Sequence, residues 1–97
     1  MAHALRLQAE IAAHREPADP VAAAPLYHRA IASAEELGMR PLVARCRLGL
    51  GRLHATVGQR PLADGELTEA RRLFRDMGMA FWVDQADGVL DGSTHRG

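Results

Sequence analysis

Residues 36–39 read Glu36-Leu37-Gly38-Met39, and residues 76–79 read Asp76-Met77-Gly78-Met79. A glycine behind a run of helix-forming residues is a C-terminal cap, so the two segments mark one helix exit used twice, 40 residues apart. The register holds on both sides of that exit. Ala23 falls on Ala63, Tyr27 on Leu67, Ala30 on Ala70, Val43 on Val83 and Leu50 on Leu90. A period of this length signals stacked supersecondary units: one helical hairpin cannot bury its own apolar face, so the next covers it.

The helices follow from the spacing of apolar residues. Ala4, Gln8, Ile11 and Ala12 open the chain with Leu5 and Leu7 beside them, and the pattern stops before Pro17. Asp19-Pro20 then supplies an N-cap and a first-turn proline. Ala23, Tyr27, Ala30, Ala34 and Leu37 form a second stripe at steps of four and three. Pro25 falls early within it, where a proline shifts a helix start or kinks the helix. A third stripe (Leu42, Cys46, Leu50, Leu53, Val57) runs from Arg40-Pro41 to Gly58. A fourth (Ala63, Leu67, Ala70, Phe74, Met77) runs from Pro61 to Gly78. The fifth helix is expected over about residues 80–90. The reading is one all-α domain over residues 1–90, an α-solenoid of antiparallel hairpins: about 3–38, about 40–78 and a terminal helix. The polar residues 91–97 are expected to form a flexible tail.

Composition narrows the function. Ala and Leu are abundant while aromatics are 4% of the 97 residues, which favours helices with small contact residues over a sheet. Net charge is zero, so no bulk field draws the chain to nucleic acid or to a membrane. The charge is unevenly placed. Arg40 to Arg60 holds five arginines and no acid, whereas Pro61 to Gly97 holds seven acids and four arginines. Cys46 is the only cysteine, which excludes an intramolecular disulfide and a cysteine-based zinc site and points to a cytoplasmic location. No apolar run is long enough for a membrane span.

Leu50-Gly51, Gly58, Ala63, Leu67 and Ala70 together resemble the tetratricopeptide repeat, with His54 standing where that pattern has an aromatic. A preceding repeat matches through Gln8-Ala9, Ala23, Tyr27 and Ala30, with a turn about two residues longer. In this pattern Gly51, Ala63 and Ala70 let helix backbones approach closely while Leu50 and Leu67 fill the gaps. The run from Ala34 to His54, followed by Met79 to Ala86, also looks like the C-terminal repeat segment of large bacterial multidomain regulatory proteins with cyclase and ATPase-type domains. No P-loop and no cyclase segment is present, so the resemblance implies a terminal repeat module and carries no enzyme activity.

The resemblance implies that the first helix of each hairpin lines a groove. The groove positions are then His3, Arg6, Glu10 and His14, followed by Arg45, Leu48, Arg52 and Thr56, and by Gln85 on the fifth helix. Three arginines there suit a carboxylate or an acidic peptide, because guanidinium pairs with carboxylate through two parallel hydrogen bonds. The expected role is protein–protein interaction without catalysis or cofactor. The alternative is a nucleic-acid-binding helical domain that uses the Arg40–Arg60 run. Phe81 and Trp82 cannot both face inward on one helix. One is expected on the fourth helix and the other exposed, at an apolar solenoid end through which the chain could self-associate. Glu35, Glu36, Glu66 and Glu69 read as solvated helix faces. Five histidines form no metal motif, so no metal is expected.

Overall fold

The structure, a computed structural model, describes residues 2–13 and 20–95. It contains α1 (Ala2–Ala13), α2 (Pro20–Glu36), α3 (Arg40–Thr56), α4 (Arg60–Asp76) and α5 (Ala80–His95), with no strand among the described residues. The chain is all-helical and folds as successive helical hairpins.

Three of the connections are one turn used three times. Gly38, Gly58 and Gly78 have φ of 69°, 81° and 69°. Their N–H groups donate to the carbonyls of Glu35, Ala55 and Arg75 at 3.1, 3.2 and 3.0 Å. The N–H groups of Met39, Gln59 and Met79 reach back to Ala34, His54 and Phe74 at 2.9, 2.8 and 2.9 Å. These paired bonds satisfy carbonyls that a helix end leaves open, and the positive φ selects glycine. The carbonyls of the same three residues then accept from Val43, Ala63 and Val83, which opens the next helix. Helices therefore begin at Pro20, Arg40, Arg60 and Ala80, a finer period than the sequence register shows.

Two boundaries differ from expectation. α2 runs unbroken through Pro25, whose side chain is exposed, so the ring displaces no neighbouring helix. α5 continues to His95 instead of stopping at Leu90, because no proline interrupts Asp91 to His95. Asp19 and His14 lie outside the described residues.

The helices form two rows. α1 packs along α2 and α3 along α4, and α2–α3 and α4–α5 contacts join these pairs. The odd helices also touch, α1 with α3 and α3 with α5, whereas no described Cα of α2 lies within 8 Å of α4. A row whose members touch, set against one whose members do not, makes the slab curve toward the touching row. The odd-helix face is the concave one. The extents of 38 × 33 × 19 Å fit a sheet of helices two layers thick.

Small residues set the spacing. Ala23, Ala30, Ala63 and Ala70 are fully buried, as are Leu50 and Leu67. A Cβ on Gly51 would stand 2.6 Å from Leu67 Cγ, and one on Gly49 would stand 2.7 Å from the Tyr27 ring and hydroxyl. Gly51 thus lets α4 approach α3 and Gly49 lets α2 approach it. The second of these contacts had no counterpart in the sequence reading.

Candidate functional site

α3 is the floor of the concave face, and its circumference explains what is available there. Ala44, Leu48 and Gly51 are buried, and Gly51 faces Leu67 of α4. Leu42, Cys46 and Leu53 are buried as well, on the side where Gly49 meets Tyr27 of α2. Arg47, His54 and the buried Leu50 turn toward the cleft between α2 and α4. Arg45 and Arg52 occupy the remaining arc, seven residues apart and so about 10 Å along the axis.

Arg45 is half-buried. Its guanidinium carbon lies 5.0 Å from the centroid of the Trp82 ring of α5, a cation–π contact between neighbouring odd helices. Arg52 is exposed and donates from Nη2 to Oε1 of Gln85 at 3.1 Å. The Thr56 hydroxyl donates to the Arg52 carbonyl at 2.9 Å, so it is spent on its own helix. Trp82 in turn stacks on Phe74 of α4 with centroids 5.6 Å apart, and Phe81 meets its edge at 5.4 Å. Phe81 itself is 65% exposed. The structure therefore brings together Arg45, Arg52 and Gln85 with Phe81 and Trp82.

Other expected groove residues are placed differently. Leu48 is buried and offers no surface. Arg6 is buried too, with Nη1 2.9 Å from Glu10 Oε2, so a carboxylate one turn away already answers its charge. The three-arginine grip reduces to two. The side chain of His3 lies outside the described residues.

Of the acids expected on solvated faces, Glu35 and Glu36 are exposed, whereas Glu66 and Glu69 are half-buried. Glu66 pairs with Arg47 at 3.2 Å and Glu35 stands 3.8 Å from the same guanidinium, so Arg47 ties α2 to α4 across α3. Glu69 holds Arg72, whose guanidinium keeps the Glu69 carboxyl below its usual range. Arg40 faces Asp76 at 3.8 Å, and Arg71 pairs with Asp87. The Arg40–Arg60 run is thus spread around the circumference of α3 and onto the start of α4, and does not form one basic patch. His54 sits with Nδ1 2.8 Å from Gln59 Oε1 at a helix exit.

Beneath the groove lie two buried titratable groups. Burial pushes the Tyr27 hydroxyl up to about 12, with Glu10 adding to the effect. Burial likewise raises the Cys46 thiol to about 11, so it stays protonated at neutral pH. Among the described residues no group of three His, Cys, Asp or Glu is arranged to hold a metal ion, and no helix is long and apolar enough to cross a membrane.

At the end of the row the aromatic pair divides as expected, one ring on the fourth helix and the other exposed. Trp82 turns inward onto Phe74, and the outer face of α5 presents Asp84, Gly88 and Asp91, all exposed, beside Phe81. The sequence reading did not foresee the place of Trp82 under Arg45. No protein-family model matches this chain, and neither a curated protein nor a solved structure matches it.

Proposed function

We propose that this chain is a tetratricopeptide-type interaction module that holds an acidic peptide or protein segment on its concave face and catalyses no reaction. One observation carries the reading. Arg6, Arg40, Arg47, Arg71 and Arg72 each have a carboxylate partner. Arg45 and Arg52 have none among the described residues; Arg29, Arg60 and Arg75 have none either but stand apart on α2 and α4, whereas Arg45 and Arg52 share the open arc of α3. Guanidinium groups held at fixed spacing by a neighbouring helix, with their charge unanswered, are prepared to accept carboxylates at low ordering cost. The close packing of small residues at Gly51, Ala63 and Ala70 supports the same repeat register. A terminal position in a larger bacterial regulatory protein, in the cytoplasm, fits this reading.

The alternative, nucleic-acid binding, needs the Arg40–Arg60 run to act as one surface. The dispersal of its guanidiniums, with Arg40 and Arg47 committed to acids, favours the peptide reading. The test is affinity capture on the immobilised chain, followed by titration of each recovered protein in purified form. Saturable stoichiometric binding that Arg45→Gln with Arg52→Gln abolishes is the expected result. Binding to arbitrary duplex DNA with a steep salt dependence, and to no purified protein, would overturn it.

A further inference from the structure

The spacing and surroundings of the two open arginines say what kind of segment fits. Arg45 and Arg52 project from one arc of α3, about 10 Å apart along its axis. Two carboxylates match that interval when they are three residues apart in an extended chain of the polyproline-II type, which returns to the same face every three residues at a rise of about 3.1 Å per residue. Beside the arginines lie the Gln85 side chain and the Trp82 ring, and the exposed ring of Phe81 meets the edge of that indole. Gln85 uses its Oε1 to accept from Arg52, which leaves its amide N–H groups to donate. A backbone carbonyl of an extended chain is a suitable acceptor, whereas a helix has already spent its interior carbonyls on itself.

From this arrangement we infer that the arc between α3 and α5 takes an extended peptide with two acidic residues three positions apart. One carboxylate sits at Arg45 and the other at Arg52, and an apolar side chain beside them rests on Phe81. This inference depends on the interaction reading above and narrows it to a spacing. It also supplies its own optical report. Trp82 is the only tryptophan of the chain and lies under Arg45. A carboxylate that draws the guanidinium outward changes the environment of that indole.

The experiment titrates the full chain with four synthetic peptides, following Trp82 emission and, independently, the heat of binding. One peptide carries two glutamates three positions apart with a leucine between them. The second has the same composition with the glutamates adjacent. The third replaces both glutamates by glutamine, and the fourth is a helix-stabilised peptide with glutamates seven apart. The first is expected to bind about tenfold more tightly than the second, the equivalent of one charge-assisted hydrogen bond. Arg45→Gln and Arg52→Gln should each erase that preference while circular dichroism shows unchanged helix content. Arg29→Gln and Arg75→Gln remove the same charge from exposed positions on α2 and α4 and should leave the preference intact. Equal affinity for the first two peptides, or equal losses in all four variants, would overturn the inference in favour of diffuse charge. Tighter binding of the helical peptide would overturn the extended conformation. Failure of every acidic peptide would overturn the ligand class alone, because the interaction reading is decided separately by the captured proteins.

Discussion

α3 and α5 are the same helix in the repeat register, 40 residues apart, yet the chain treats their far sides in opposite ways. Toward the core they agree. Leu42, Val43 and Cys46 on α3 correspond to Trp82, Val83 and Ala86 on α5, and all six pack into or against the core. On the other side α3 presents Ala44, Leu48 and Gly51, all buried in the row. The equivalent positions of α5 are Asp84, Gly88 and Asp91, all exposed. An inward apolar stripe shows only that a segment is a helix with a core to join. The opposite stripe shows whether a further helix is meant to pack there, and on α5 it is built to face water. The terminal helix of the row keeps the fold's interior code and drops its exterior one.

The largest test of that comparison is at its central pair. Leu48→Ala empties a fully enclosed position and should cost about 2–5 kcal/mol, read from urea unfolding midpoints. Gly88→Leu, the reciprocal change at the matching site, should cost nothing measurable, because nothing lies within 4 Å of the Cβ it would add. Similar losses at both positions would end the distinction between the two helices.

Alkaline titration probes the same contrast from below. α3 carries Cys46 where α5 carries Ala86, and Tyr27 packs on α3 at Gly49. Folding raises the thiol from 9.0 to about 11 and the hydroxyl from 10.0 to about 12. Groups with raised folded-state values contribute stability that is fully present below their unfolded values and is lost as pH rises through the folded ones. Stability should therefore hold up to about pH 9 and fall by roughly 2–4 kcal/mol by about pH 12. Unfolding midpoints at stepped pH measure this. Tyr27→Phe and Cys46→Ala together should flatten the profile, and an unchanged slope in that double variant would reject the assignment.

Finer resolution comes from adding one methyl group to a glycine on each helix. Gly51→Ala forces a Cβ against Leu67 and should destabilise by about 1–3 kcal/mol, despite the better helix propensity of alanine. Gly88→Ala meets open space and should stabilise by about 0.5–1 kcal/mol. Opposite signs in thermal unfolding are the expected outcome. The same sign at both would mean that helix propensity, not packing, governs this chain.

How far the site was legible follows from the range of each interaction. Arg45 and Arg52 were identifiable because seven residues on a helix return to one face, a local rule. Arg6 was misjudged because its burial depends on how α1 lies against the rest of the fold. Its partner Glu10, only one turn away, had been read as a second groove residue. Leu48 shared the face of Arg45 only approximately, and a small rotation about the axis separates the open arc from a buried position. The pairing of Arg47 with Glu35 and Glu66 joins three helices, and no periodicity within one helix announces it.

By itself the sequence determined the number of helices, the places where three of them end and the small residues at which they meet. These follow from glycine's access to positive φ, from the helical period of apolar residues and from the volume of a side chain, all properties of short segments. Tertiary structure decided which charges are already answered, which aromatic supports Arg45 and which end of the row faces water. Each of those depends on distances between residues far apart in the chain. A charge on a helix is free or committed according to what the neighbouring helix brings within about 4 Å of it.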